Sequence, residues 1–472
     1  MKYPQKNLSL FIDLYELTMA QSYFIHKQNN RATFELFVRN LGKPRSYLVA
    51  AGLEDILNYI RNLRFDDEQI NYLKSQKLFS DEFLKYLKNF RFRGDIWALP
   101  EGTIFFANEP VIRVTANIIE AQILESLCLN TVNLQTMIAS KASRVVLAAE
   151  GRGIYDFSLR RTQGQDAAIK AARSSYLAGC KGTSNVLAGL LYNIPIVGTM
   201  AHSFVMAFNT ELESFAAYST VFPRNATLLV DTYDTKKGIE NAVRIGKFLE
   251  ARGDRLMGVR LDSADLASLS KAARRMLDSA GLRYVKIFAS GNLDEYKIHA
   301  LLKKKARIDN FGVGTNMGVS SDAPYLDVIY KLSEISQDDG KFLPTMKLSK
   351  GKVTYPGRKQ IFRIRNRRGN YIKDILALED EKINGEPLLI KVVSKGKIIY
   401  KIPTLSEIRK KLVRNLSHLP LKYKQIYPAP ARRSGIYPKS HYPVVISPKL
   451  RKLTLSLSRD LERRQTEGFS CG

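Results

Sequence analysis

The sequence predicts an α/β fold: an irregular βα barrel of about seven units, with an N-terminal α+β domain and a smaller, basic, β-rich C-terminal part. Three observations carry that reading. Short apolar runs recur between residues 117 and 335, each ending in a polar or glycine-rich tip and most leading into a helical pattern. The tips fall near Phe157, Gly182, Thr199, Asp231, Asp262, Ser290 and Gly314, spaced by roughly 20 to 30 residues, close to one βα unit. Beyond about residue 335 the texture turns β-rich and basic.

With 472 residues the chain exceeds one ordinary core, and three segments are expected: 1–116, 117–335 and 336–472. In the first, Asp13 is placed to cap a helix beginning at Leu14, and LEDILNYIRNL (53–63) sets apolar side chains at helical spacing. RATFELFVRN (31–40) and DIWALPEGTIFFANEPVIRVTA (95–116) read as strands, the latter with turns at Pro100-Glu101-Gly102 and Asn108-Glu109-Pro110. A helix rich in Ile, Leu and Ala over 118–150 opens the second segment. In ADLASLSKAARRMLDSAG, Leu266, Leu269, Ala273, Met276 and Leu277 form one stripe, with Asp265 to cap it and Gly281 to end it. Consecutive units of this kind build a barrel whose strand C-termini carry the active site. An open doubly wound sheet is the alternative, and it places ligands at the same ends. In the third segment, 343–366 reads as strands around a Gly-rich turn and VVSKGKIIYKI (392–402) as a hairpin around Lys395-Gly396. A helix at 404–416 follows, then an extended run holding Pro428, Pro430, Pro438, Pro443 and Pro448, with a frayed end.

Composition narrows the function. No stretch approaches the roughly 20 apolar residues that span a bilayer, and the start lacks a secretory pattern, so no membrane partner is expected. Cys128, Cys180 and Cys471 are too sparse for a disulfide framework or a zinc pattern, which points to a reducing compartment, the cytoplasm. The net charge of +29 is unevenly spread: residues 341–472 hold 31 Lys/Arg against 9 Asp/Glu. The excess lies downstream of the chemical motifs, and no zinc finger, RNP-type strand or heptad-plus-basic region accompanies it. A solvated basic periphery that draws in anionic substrates is favoured over a nucleic-acid face. Steeply salt-dependent nucleic-acid binding, lost with the residues after about 340, is what the rival reading requires.

The tips supply the chemistry. GTMAHSF (198–204) puts His202 past an apolar strand, where imidazole can serve as base, proton donor or nucleophile, or can simply be a buried, bonded ring. VDTYDT (230–235) offers Asp231 and Asp234, a carboxylate to orient an imidazole or to bind a metal through water, unless Asp231 simply caps the helix entering at 235. In GVRLDSADL (258–266), Arg260 and Asp262 share a face; they suit an acid and a hydroxyl or cation, or form a structural ion pair. FASGN (288–292), with Ser290 and Gly291, and GVGTN (312–316), with Gly314 and Thr315, let backbone amides approach a phosphate, helped by a helix N-terminus, unless they are ordinary loops. YDFSLRR (155–161) pairs Phe157, a platform for a flat ring or a core residue, with Arg160 and Arg161. KGTSN (181–185), with Ser184, offers short hydroxyl and amide groups at a helix start, where N-capping is the plainer role. Together these residues describe an enzyme for a phosphorylated, anionic and partly flat substrate.

Taken with DLYELTMAQSYF (13–24), CKGTSNVLAG (180–189), ASGNLDEY (289–296), FGVGTNMGVSSDAPYLDVIYKL (311–332), YPGRKQIFR (355–363), PTLSEIRKKL (403–412) and YPVVISPKL (442–450), these motifs resemble nicotinate phosphoribosyltransferases of the type II phosphoribosyltransferase group. The resemblance covers nearly the whole chain. It implies ATP-coupled formation of nicotinate mononucleotide from nicotinate and phosphoribosyl diphosphate, the first step from nicotinate to NAD, in a homodimer with shared active sites. It implies that Phe157 stacks on the pyridine ring, with Tyr15 of the partner subunit on the other face. Arg260 and Arg160 then lie near the substrate carboxylate and phosphates, and Asp262 holds the ribose hydroxyls. Gly291, Gly314 and Thr315 meet the 5′-phosphate, with Ser290 a further substrate-binding residue and Mg²⁺ accompanying the phosphorylated substrates. His202 is phosphorylated by ATP and oriented by Asp231. Nicotinamide-using relatives carry an acid where Ser184 stands, so serine implies nicotinate. The basic C-terminal part and the tail ERRQTEGFSCG (462–472) match the family poorly.

Overall fold

The computed structural model describes residues 7–42, 45–262, 265–348, 354–426 and 441–467. Cys471, Ser263, Pro428, Pro430, Pro438 and the 349–353 part of the expected Gly-rich turn lie outside the described residues. Among the described residues, no helix is long and apolar enough to cross a membrane. The chain divides into two compact units, one of residues 138–324 and one of 2–137 with 325–472.

The 138–324 unit is built on six parallel strands: β1 (Gly153–Asp156), β2 (Gly182–Thr183), β3 (Thr227–Leu229), β4 (Gly258–Leu261), β5 (Lys286–Ala289) and β6 (Asn310–Val313). Their spatial order is β2-β1-β6-β5-β4-β3. A parallel bridge from Thr183 to Ile196 adds a seventh strand position beyond β2. The first strand pairs with the last, Tyr155 opposite Gly312 and Asp156 opposite Val313. That pairing is what curling a sheet toward closure produces, so the barrel reading holds over the open sheet. Among the described residues, no ladder joins Ile196 to β3, which makes the barrel irregular.

Each strand alternates. Ile154, Val259, Leu261, Ile287, Ala289, Phe311 and Val313 are buried, while Tyr155, Arg260, Phe288 and Gly312 occupy the intervening positions on the other face. Helices connect the strands, α1 (Gln165–Leu177), α2 (Val186–Tyr192), α3 (His202–Met206), α4 (Glu211–Val221), α5 (Thr235–Ala251), α6 (Leu266–Ser279) and α7 (Glu295–Lys303), and α8 (Thr315–Gly318) follows the last of them. Asp265 caps α6 by accepting from Ser268 N, as its position predicts.

In the other unit, a seven-stranded sheet alternates early and late segments. Arg31–Val38 lies between Val328–Ser336 and Pro110–Asn117, and Asp95–Ala98 between Pro110–Asn117 and Ile390–Ser394. Antiparallel pairing thus brings strands from all three expected segments, 31–38, 328–336 and 390–394 among them, into one sheet. The hairpin at Lys395-Gly396 forms, both residues at positive φ. The 118–150 helix is two helices, Ile118–Gln122 and Glu125–Ala148.

Asp13 occupies the N-cap of the Leu14–Ile25 helix without capping it; its carboxylate instead accepts from Ser126 Oγ at 3.0 Å. One turn on, Glu16 is 0% exposed; it accepts from Ser126 N at 3.1 Å and shares a short hydrogen bond with Ser126 Oγ. Burial, helped by the charges of Glu125 and Asp13, pushes its carboxyl up to about 8 despite those hydrogen bonds. A folded-state value above the ordinary carboxyl range means stability that is complete in acid and is lost as pH rises toward about 8. Glu16→Gln keeps an acceptor for Ser126 and removes the titration. The variant is expected to melt several degrees above the parent at pH 8.5 and close to it at pH 5, measured by thermal unfolding.

Candidate active site

The turn after β1 is tied down by Asp156, which is 1% exposed. Its carboxylate accepts from Ser158 N at 3.0 Å and from Thr183 Oγ1 at 2.8 Å. Burial raises its carboxyl above the usual range, and these two hydrogen bonds oppose the rise. Phe157 then stacks on Phe288, ring centroids 5.6 Å apart at 16°. Only glycine fits below them. A Cβ on Gly312 falls 2.6 Å from the Phe157 ring and 2.9 Å from Phe288. Arg160, two residues past Ser158, is exposed.

Arg260 gathers the neighbouring tips. Nε donates to Ser290 Oγ at 2.8 Å, Nη1 donates to Thr199 Oγ1 at 2.9 Å, and Nη2 lies 3.6 Å from Asp262 Oδ1. The guanidinium also stands over the Phe157 ring, 5.6 Å from its centroid. Ser290 Oγ donates onward to Asp262 Oδ1 at 2.6 Å. The ion-pair alternative for Arg260 and Asp262 is thus realised within a larger network that reaches Phe157, Thr199 and Ser290.

His202 opens α3. Its Nδ1 is 3.1 Å from Thr232 Oγ1, and its Nε2 is 3.8 Å from Asp262 Oδ2. Asp231, next to Thr232 in sequence, accepts from Asp262 N at 2.6 Å, which fixes the main chain carrying Asp262. The helix entering at 235 is capped not by Asp231 but by Asp234, the residue directly before it, which accepts from Lys237 N at 2.8 Å. In KGTSN the cap is Asn185, accepting from Ala188 N at 3.0 Å. Ser184 instead lines a cavity of about 670 Å³ with Tyr155, Thr199, Lys286 and Phe288.

The two small-residue tips meet. Asn316 Nδ2 donates to Asn292 Oδ1 at 2.9 Å and to Leu293 O at 3.2 Å. Gly291 has φ +98, and a Cβ there falls 2.7 Å from Asp262 O, so glycine meets both the backbone shape and the close approach. Gly314 precedes α8, only four residues long, so the expected helix N-terminus adds little field there. Tyr15 belongs to the other unit, on the Leu14–Ile25 helix, 46% exposed. Burial of its remaining surface and the neighbouring Glu125 and Glu16 carboxylates push its phenol well above the ordinary range.

Sequence reasoning did not single out Asp156, Thr183 or Thr232. An Asp at a strand end with a small polar residue two positions on is an Asx-turn signal, and it was legible at Asp156 and Ser158.

Seven strand positions curled toward closure, with an arginine, two aspartates, a histidine and an aromatic pair at their C-terminal tips, define a βα-barrel enzyme site. The sequence matches the N-terminal domain of nicotinate phosphoribosyltransferase over residues 10–133, the nicotinate phosphoribosyltransferase family over 153–360 and its C-terminal domain over 382–454. A nicotinate phosphoribosyltransferase of Mycobacterium tuberculosis is 47% identical over 443 residues, covering 94% of this chain and 92% of its own. One from Bacillus subtilis is 39% identical, covering 89% and 91%. The crystal structure of human nicotinic acid phosphoribosyltransferase superposes with a TM-score of 0.82 at 28% identity, covering 94% of this chain and 99% of that one. The chain belongs to the nicotinate phosphoribosyltransferase family.

The steric limit at Gly312 gives a test of the aromatic platform. Gly312→Ala forces the Phe157–Phe288 pair apart, and overpacking of this kind costs about 1–3 kcal/mol. A denaturant midpoint equal to the parent's shows that the rings yield freely and that the platform is not held as described.

Proposed function

We propose that the protein joins nicotinate to 5-phosphoribosyl 1-diphosphate, forming nicotinate mononucleotide and pyrophosphate, with turnover coupled to ATP through phosphorylation of His202. The observation that carries the reading is the Arg260 network, which unites the aromatic platform, a small-residue tip and Asp262 around one cation. In the reaction the pyridine nitrogen forms a bond to ribose C1 while the bond from C1 to the diphosphate oxygen breaks, its electron pair leaving with pyrophosphate. Phe157 supplies a face for the pyridine ring. Arg260 and Arg160 answer the carboxylate and phosphates, and Asp262 accepts from the ribose hydroxyls. Ser290, Gly291, Gly314 and Thr315 cradle the 5′-phosphate. Positive charge developing on the ribose is stabilised by Asp262, and negative charge on the leaving group by guanidinium and backbone N–H donors.

Among the described residues, no group of three or more His, Cys, Asp or Glu side chains forms a metal cage. Mg²⁺ ordinarily takes most of its oxygens from phosphates and water, with one or two carboxylates. Asp262 and Asp231 fit that donor set, and the ion bound there would offset phosphate charge.

His202 suits phosphoryl transfer. In the tautomer whose Nδ1 donates to Thr232, Nε2 carries the lone pair that bonds the γ-phosphorus of ATP as the bond to ADP breaks. Asp231, which secures the Asp262 main chain, orients this corner. A homodimer with shared sites is part of the proposal: Tyr15 of the partner subunit closes the pyridine face opposite Phe157. Exposed Leu14 and Phe11 on one unit and Val186, Leu190 and Ile196 on the other are apolar surfaces suited to such a partner. The buried free thiols Cys128 and Cys180 suit a reducing cytosol.

Nicotinate mononucleotide formation from nicotinate, phosphoribosyl diphosphate and Mg²⁺, faster with ATP than without, is the expected result of a direct assay. His202→Ala is expected to keep slow basal transfer and lose the ATP stimulation; full stimulation in the variant removes the phosphohistidine. Ser184→Asp is expected to lower kcat/KM for nicotinate by about a hundredfold, a penalty of about 2.8 kcal/mol for facing two like charges, and to improve nicotinamide. An unchanged preference, read by competing the two pyridines, removes Ser184 as the selector.

A further inference from the structure

Asp156 and Thr183 are both fully buried, and neither has a part in the reaction as written above. Their hydrogen bonds are arranged around two residues that do. Asp156 Oδ1 accepts from Ser158 N, at 3.0 Å, so the main chain is held on both sides of Phe157. Asp156 Oδ2 accepts from Thr183 Oγ1 at 2.8 Å, and Thr183 Oγ1 accepts from Asn185 N at 3.0 Å, so the main chain is held on both sides of Ser184. A fourth bond closes the figure, with Ser184 N donating to Asp156 O at 2.8 Å. Phe157 N reaches Val313 O at 2.9 Å, and Thr183 N and O pair with Pro195 O and Val197 N, each at 3.0 Å. The same knot therefore reaches β6 and the segment leading to Thr199.

A buried carboxylate is a poor way to gain stability, since desolvation offsets most of what its partners return. Its value lies in geometry. The hydrogen bonds fix the main chain on either side of Phe157 and Ser184 and use neither residue's side chain. We propose that the Asp156–Thr183 pair is a positioning device that sets the Phe157 ring against Ser184, and thereby controls how tightly a pyridine carboxylate is held and how well it is told from the corresponding amide. The proposal rests on the reading of Phe157 and Ser184 as the pyridine contacts, and extends it to two residues that touch no substrate.

Thr183→Val removes the hydroxyl at nearly constant volume, Thr183→Ser retains it, and Asp156→Asn keeps the shape with one acceptor. Steady-state kinetics of each purified full-length variant are compared with nicotinate and with nicotinamide. Misplacing a contact by a fraction of an ångström to about 1 Å costs about ten- to a hundredfold. Thr183→Val is therefore expected to raise the nicotinate KM about tenfold and narrow the nicotinate-to-nicotinamide ratio of kcat/KM, while leaving the KM for phosphoribosyl diphosphate within about twofold. Thr183→Ser is expected to restore both, and Asp156→Asn to fall between. A purely structural role lowers Tm and scales both pyridines alike, leaving their ratio unchanged, and that result overturns the proposal. If Thr183→Val does not fold, the Asp156→Asn ratio decides in the same way. Phe157→Ala and Ser184→Asp are measured alongside. If they alter nicotinate kinetics and Thr183→Val does not, the positioning role falls and the pyridine contacts stand; if none of the variants does, both fall.

Discussion

The guanidinium of Arg260 is shared among strand tips that lie far apart in the chain, and the candidate site depends on that sharing. It donates to Thr199, 61 residues earlier, and to Ser290, 30 residues later. An arginine is suited to this because its planar fork offers several donors in fixed directions, which a lysine ammonium does not. The network is possible only if the 196 segment, β4 and β5 converge at one end, which the curl of the sheet and the β1–β6 pairing bring about. Barrel geometry and site geometry are one constraint: strand order decides which tips meet, and Arg260 with Asp262 fixes them once they have.

The tips are supported from behind by buried charge. Lys141 Nζ lies 2.6 Å from Glu295 Oε2 and 2.8 Å from Asp322 Oδ1, and Arg144 Nε donates to Glu295 Oε1 at 3.0 Å. Glu295 begins the helix after the Ser290 tip, and Asp322 follows the Gly314 tip. The loops that offer backbone N–H groups are thus anchored to the long helix preceding β1. Breaking one partner of such a buried group leaves an uncompensated charge, a cost of about 3–5 kcal/mol, so these loops are held in register rather than left to adapt.

Small residues do a complementary task. At Gly312 the absence of a Cβ lets two aromatic rings lie across the strand, and at Gly291 it lets the main chain turn beside Asp262. Neither glycine is there for flexibility. Each marks a close approach that a Cβ forbids, to two aromatic rings at Gly312 and to the Asp262 carbonyl at Gly291.

Local signals in the sequence determined the number of strand positions, the tip of each and most residues gathered there, since alternation, turn chemistry and capping are short-range properties. Phe157, His202, Arg260, Asp262, Ser290 and Gly314 were all legible as strand-end residues. Their partners were not. That Thr232 faces His202, that Asp231 holds the Asp262 main chain and that Asp156 reaches Thr183 are consequences of which strands became neighbours. The same holds for the division of the chain, where 31–38 and 328–336 pair across some 300 residues. Pairing over such separations is selected by the total burial and hydrogen bonding of the folded chain. No local pattern carries it, so only the tertiary structure could decide it.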